Sequence, residues 1–390
     1  MAIKVAIIDP SGFTLPYDHC LASALVQQGC DVVLVTSQIP SRPWNDNIRY
    51  EQWRHFYRVG SNLRKEWLRI WVKGWEHAFD MIRLLSRLHE WKPDIIHFQW
   101  LPLPLVDAIF MPFFRKIAPL LLTIHNSEAF HGDPASIIRL AGLKDALQYF
   151  DHYIVHTYYS KQKIIQKLSL HPEKITVIKH GVFNYYRKLI TNPQPVPSWV
   201  NYKKKVLFFG LIRPYKGIDV LLQSFAQLPE TIKKETSLII AGRPKMDVEP
   251  LKALSKKLGI DDNVFWDLHF IREEEVAFYF LQADVVVLPY RHIDQSGVLM
   301  TALAFGKPVI ASRIGGFVET IMEGVHGFLV NPEDVTGLAR ALARILTDDV
   351  LREQMSQAVQ QLADELSWSA IAAKTCSLYK QILAKKFDKS

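Results

Sequence analysis

The sequence predicts an α/β protein built from two parallel-sheet domains, and three observations carry that expectation. Short apolar, β-branched runs alternate with helical patterns along the 390 residues. Continuous apolar runs of this kind belong to parallel strands covered by helices on both faces. The alternation breaks once, at Thr191-Asn192-Pro193-Gln194-Pro195-Val196-Pro197-Ser198, where three prolines without periodicity mark a linker. A chain of this length also divides into two halves that can each bury a core.

In order, strands are expected at residues 3–8, 31–35, 94–98, 120–124 and 153–156, then at 205–209, 237–241, 263–266, 284–288, 308–311 and 328–330. The domains are placed at 1–186 and 203–367, joined by a linker at 187–202. The tail, 368–390, is helical with no strand to follow and is expected to pack back on the first domain. Hydrophobic residues make up 49% and charged residues 22%, which excludes a disordered chain.

Cys20, Cys30 and Cys376 are too few and too scattered for a disulfide framework or a zinc site, and fit a reducing compartment. The N-terminal Met1-Ala2-Ile3-Lys4-Val5-Ala6-Ile7-Ile8-Asp9 reads as a strand rather than a signal peptide. The most apolar stretch, 101–124, is broken by prolines and charges and does not read as a membrane span. The expected location is the cytoplasm, with attachment to the inner membrane surface left open.

Ligands of open α/β domains sit at the carboxyl ends of strands, so the loops after strands hold the candidate chemistry. After Val206-Leu207-Phe208-Phe209 come Gly210, Arg213, Lys216 and Gly217, then a helix from about Ile218. Gly210 permits a tight exit; Arg213 offers a planar fork and Lys216 a point charge to phosphate oxygens near a helix start. A second loop runs from Tyr290 through Asp294 to Ser296-Gly297-Val298, where a helix start presents free backbone N–H groups. Asp294 is placed to accept hydrogen bonds from sugar hydroxyls, or else to cap or face solvent.

The run Gly210, Arg213, Lys216-Gly217, Ala241-Gly242, Ser296-Gly297-Val298, Ala302 to Ala311 and Gly315-Gly316 with Glu319 resembles the donor half of glycosyltransferase family four. The resemblance implies a GT-B fold, two Rossmann-like domains facing a central cleft, and a retaining enzyme with a nucleotide-sugar donor. Arg213 and Lys216 would then neutralise the donor diphosphate, and the Ser296-Gly297-Val298 backbone would hold sugar and phosphate. The family usually has two glutamates about seven residues apart. Here Thr301 stands in the second position, which contacts ribose, and Asp294 is the acid nearest the first. Glu319 matches a frequent family glutamate, with capping or pairing at the start of the next helix as its other reading.

In the first half, Gly12 in Asp9-Pro10-Ser11-Gly12-Phe13 resembles the family's N-terminal glycine loop, and His125 stands where the family often has a histidine close to the donor sugar. His97 ends another strand and is a second candidate for the same cleft. The resemblance and the absence of an Asp-x-Asp pair imply no metal and no cofactor beyond the nucleotide sugar. The acceptor is expected to be a glycan or a lipid-linked sugar, as in cell-envelope or exopolysaccharide synthesis. A nucleotide-sugar epimerase and a non-catalytic nucleotide-sugar-binding protein remain as alternatives.

The net charge is +8, and residues 42–75 hold eight Lys+Arg against three Asp+Glu. The same segment carries Trp44, Tyr50, Trp53, Phe56, Tyr57, Trp67, Trp71 and Trp75. An aromatic row beside a basic row suits an anionic membrane surface; a core-facing helix with a solvated basic edge is the other reading. Without an RNA-binding motif, nucleic acid is not expected as a partner.

Overall fold

The computed structural model describes residues 2–37, 49–58, 66–126, 142–189 and 196–387, with side chains from 72 in the helix that begins at 66 and to 385 in the last helix. The chain forms two compact units, Met1–Gly181 with Ser367–Ser390, and Val182–Leu366.

The first unit holds a seven-stranded sheet. Its strands are β1 (Lys4–Asp9), β2 (Asp31–Thr36), β3 (Glu51–Arg54), β4 (Ile95–Phe98), β5 (Leu120–Ile124), β6 (His152–Val155) and β7 (Ile175–Val177), in spatial order β3-β2-β1-β4-β5-β6-β7. Every pairing is parallel, with Val5 opposite both Val32 and Ile95 at the centre. Parallel neighbours need crossovers, which helices α1 (Leu15–Gln27), α2 (Glu66–Trp91) and α3 (Pro104–Ile117) help to supply. Helix Trp368–Phe387 packs on α1 within this unit.

The second unit holds six parallel strands: β8 (Lys204–Phe209), β9 (Thr236–Ala241), β10 (Val264–Asp267), β11 (Val285–Leu288), β12 (Val309–Ser312) and β13 (Gly327–Val330). Their order, β10-β9-β8-β11-β12-β13, makes β8 and β11 the central neighbours at which the winding reverses. The expected strands all form, within a residue or so at each end. β3 and β7, which sequence reasoning missed, lie at the two edges of the first sheet.

Four aromatics of the basic segment belong to the core rather than to a surface. Tyr50, Trp53, Phe56 and Tyr57 are buried, with Arg87 lying 3.6 Å over the Trp53 ring. Trp75 alone of the described aromatics in that segment is strongly exposed. Trp44 and the side chains of Trp67 and Trp71 lie outside the described residues. His97 is also core: it is fully buried between Tyr379 Oη and Thr123 Oγ1, each at 2.7 Å. Cysteines scattered in sequence are partly gathered in space, since Cys30 Sγ and Cys376 Sγ lie 3.3 Å apart as free thiols.

Candidate active site

The carboxyl ends of β8 and β11 meet at the reversal point of the second sheet, where a parallel α/β sheet opens a crevice. A cavity of about 340 Å³ opens there, lined by Arg213, Lys216, Ser296, Gly297, Val298 and Thr301 among others. Phe183, Tyr186 and Val276 form an apolar wall. The volume falls in the range of small-ligand sites.

Gly210 leaves β8 with φ +100°, and a Cβ there would stand 3.3 Å from Lys216 Nζ and 3.1 Å from Val298 Cγ2. The missing side chain thus makes room for the lysine head. After a 3-10 turn, Pro214–Lys216, Gly217 takes φ +68°, and a Cβ there would lie 2.0 Å from the Pro289 carbonyl oxygen. No other residue type lets the β8 loop press this closely on the chain leaving β11.

Lys216 is 6% exposed, and its Nζ donates to Tyr290 Oη at 3.1 Å. Burial pulls its pKa down to about 8, and the neighbouring Arg213 charge pushes the same way. Among the described residues no carboxylate pairs with Lys216 or with the half-buried Arg213. A buried, unpaired ammonium is an expensive arrangement that a bound anion would relieve.

The second loop meets the first through side chains. The Tyr290 phenol, held by Lys216, also hydrogen-bonds Ser296. Ser296 caps helix Gly297–Ala304, its Oγ accepting from Leu299 N at 3.3 Å. The Gly297 and Val298 N–H groups, which precede it in this first turn, have no intrahelical acceptor, and both residues line the cavity. Arg291 ties both loops to the domain. It donates to both oxygens of Asp219 at 3.1 and 2.7 Å, to Glu333 at 2.9 Å and to the Pro214 carbonyl at 2.7 Å. Sequence reasoning missed Tyr290, Arg291 and Gln295, whose buried Oε1 faces no hydrogen-bond donor among the described residues.

Three other expected residues stand differently. The Thr301 hydroxyl donates to the Gly297 carbonyl at 2.9 Å, which leaves it able to accept a hydrogen bond but not to donate one. Asp294 is buried rather than facing solvent. Its carbonyl accepts from Gly316 N at 3.1 Å, and its side chain is not among those lining the cavity. Glu319 is half-buried near the end, not the start, of the short helix Gly315–Thr320, and it does not line the cavity either.

Gly12 and His125 belong to the first unit. Gly12 N donates to the Asp9 carbonyl at 3.2 Å, in the turn after β1. Beneath that turn Asp9 and Asp18 are both fully buried beside each other, and burial raises both carboxyls above the usual range, Asp18 well above it. Thr14 links them onward, with N donating to Asp9 Oδ2 at 3.0 Å and Oγ1 accepting from Trp100 Nε1 at 3.0 Å. Trp100 stacks on His125, centroids 5.3 Å apart and planes 15° apart.

His125 is buried, and desolvation drives its pKa well below the usual value, with His156, His180 and His97 adding to the effect. It is therefore neutral near pH 7. His156 Nδ1 faces the Ile178 carbonyl at 3.0 Å and must donate there, so its Nε2 accepts from His125 Nδ1 at 3.2 Å. That assignment leaves His125 Nε2 with a lone pair 3.1 Å from the Gln99 side-chain amide, whose NH2, otherwise without a partner among the described residues, must then be the end turned toward the ring.

Two family models cover most of the chain in tandem. One described as Glycosyltransferase Family 4 matches residues 19–183, and one described as Glycosyl transferases group 1 matches residues 194–362. The chain belongs to the family-four glycosyltransferases. Enzymes of this family take their sugar from a nucleotide-sugar donor. The glycosyltransferase is 33% identical to a D-inositol 3-phosphate glycosyltransferase of Corynebacterium efficiens over 189 residues, 47% of this chain but only 44% of that relative. It is 27% identical to an uncharacterized glycosyltransferase of Methanocaldococcus jannaschii over 93% of both chains. In three dimensions it is similar to HepE of Anabaena in complex with UDP, with a TM-score of 0.70 and 18% identity over 98% of this chain and 100% of that one. This likeness places the fold among GT-B proteins. Among the described residues no helix is long and apolar enough to cross a membrane.

Proposed function

We propose that this glycosyltransferase binds a nucleoside-diphosphate sugar in the 340 Å³ cavity of its second unit and transfers the sugar, with retention, to a glycan or lipid-linked acceptor of envelope or exopolysaccharide synthesis. The observation that carries the reading is the buried Lys216 ammonium, with no carboxylate partner among the described residues, at the junction of two loops and a helix start. A diphosphate satisfies all three at once. HepE, with which this chain shares its fold, has been crystallised with UDP and with UDP-glucose, which makes a uridine donor the first to test.

In the proposed step an acceptor hydroxyl oxygen forms the new bond to the anomeric carbon on the face from which the diphosphate leaves. The C–O bond to phosphate breaks with its electrons moving to the phosphate oxygen, and that oxygen takes the acceptor proton. Lys216 and Arg213 stabilise the charge that develops there, so no divalent ion is assigned to the site. Gln295 Oε1 and the Thr301 oxygen, both in the cavity lining, are assigned as acceptors for donor hydroxyls. Neutral His125 is assigned an orienting role rather than proton transfer, and the Asp294 carbonyl ties the second loop to helix Gly315–Thr320 through Gly316 N. The free thiols Cys20, Cys30 and Cys376 fit a cytoplasmic location.

Thermal denaturation with UDP, GDP, ADP and their sugars tests the donor assignment, because a ligand of the native state raises its melting temperature. Transfer is then measured with and without EDTA. Stabilisation by one diphosphate that vanishes in Lys216→Ala supports the proposal; equal stabilisation of both proteins refutes it. Donor consumed without any acceptor product would move the assignment to an epimerase.

A further inference from the structure

Helices α2 and α3 lie on one side of the first sheet. Met81, Leu84 and Leu88 of α2 share a buried cluster with Met111 and Phe114 of α3 and with Ala6, Ile8, Ile96 and Phe98 beneath them. A buried contact, His77 Nε2 to Asp107 Oδ1 at 2.8 Å, joins the two helices on that inner side. The opposite faces therefore point outward together.

Those outward faces are apolar. Trp75, Phe79 and Ile82 stand at i, i+4 and i+7 on α2, and Leu105, Ile109 and Phe113 at i, i+4 and i+8 on α3. Each is between 51% and 78% exposed. Single exposed apolar side chains are ordinary on a protein surface, but six in register on adjacent helices form a patch. Cations rim it. The Arg83 guanidinium lies 5.9 Å over the Phe79 ring, and the Lys116 ammonium 5.8 Å over the Phe113 ring. Asp80 and Asp107 on the same helices are buried, Glu76 is half-buried, and the exposed Glu90 lies about two turns beyond Ile82.

We infer that the outer face of α2 and α3 docks on a lipid bilayer carrying anionic headgroups. Trp75, Phe79, Ile82, Leu105, Ile109 and Phe113 enter the boundary between headgroups and acyl chains. Arg83 and Lys116 lie along the aromatic rings and reach the phosphates, as long cationic side chains do at such boundaries. The contact runs through 75–113 rather than through the aromatics at 50–57, which are committed to the core. It does not depend on the donor assignment, because vesicle binding needs no sugar transfer.

The experiment is cosedimentation of the full chain with vesicles of phosphatidylcholine containing phosphatidylglycerol, and with phosphatidylcholine alone. The wild type is expected to bind the anionic vesicles and to leave them as salt rises. Phe79→Ser with Ile109→Ser should weaken binding at least roughly tenfold, and Arg83→Glu with Lys116→Glu by a similar factor. Melting curves with and without UDP run alongside, so that loss of vesicle binding in a folded, nucleotide-responsive variant is read as loss of the docking face. Absence of binding by the wild type, equal binding by wild type and variants, or self-association abolished by the same substitutions would each overturn the inference.

Discussion

Replacing Lys216 with methionine should make the protein more stable and much less active. The ammonium is 6% exposed, and its pKa falls from 10.5 to about 8. At about 1.4 kcal/mol per unit, the folded state at pH 7 carries an order-of-magnitude burden of about 3 kcal/mol for keeping it charged. Methionine fills similar space without the charge. It forfeits the hydrogen bond to Tyr290, worth about 1 kcal/mol, so a net gain of about 2 kcal/mol is expected. In a unit of this size that raises the melting temperature by roughly 4–8 °C. Transfer should fall by roughly 100-fold or more, the scale seen when one charge-stabilising group leaves an active site. Calorimetry of the unliganded protein and initial-rate transfer with a labelled donor measure the two effects. A variant that melts lower while transferring sugar at close to the wild-type rate would refute the assignment of Lys216.

The same lysine sets a pH dependence. Its folded pKa, about 8, lies below the unfolded value, so between about pH 8 and 10.5 the unfolded chain retains a proton that the folded protein has released. This group therefore makes stability rise with pH across that window, while kcat/KM falls above about pH 8; a kcat/KM flat to pH 10 would contradict the site. Arg291→Gln removes the donors to Asp219 and Glu333 and loosens both loops; weaker nucleotide binding, by roughly tenfold, with a lower melting temperature should follow in titration calorimetry.

The strands that were legible in the sequence are those buried on both faces, where parallel packing writes a continuous apolar run. β3 reads Glu51-Gln52-Trp53-Arg54 and β7 is only Ile175-Thr176-Val177; as edge strands they bury less and carry no such run. The two loops that line the cavity were legible because glycine, arginine and lysine follow strands at short spacing. Arg291 was not, because its partners Asp219 and Glu333 lie 72 and 42 residues away. The lysine–phenol–serine link was equally hidden, since the separation of 74 positions from Lys216 to Tyr290 is closed only by the adjacency of β8 and β11. The basic aromatic segment shows the converse limit. Composition alone did not separate Trp53, which the core claims, from Trp75, which it leaves outside.

The close fit of Gly217 against Pro289, and of Gly210 beside Lys216, bears on how far donor choice can drift or be redesigned. A Cβ at Gly217 would collide with the Pro289 carbonyl, and one at Gly210 would take a positive φ and crowd Lys216 Nζ and Val298, so the Lys216 end of the cavity offers little mutational freedom. The wall of Phe183, Tyr186 and Val276 has no such lock. Libraries aimed at a different nucleotide or sugar belong on that wall and at Thr301, with the glycines and Arg291 held fixed.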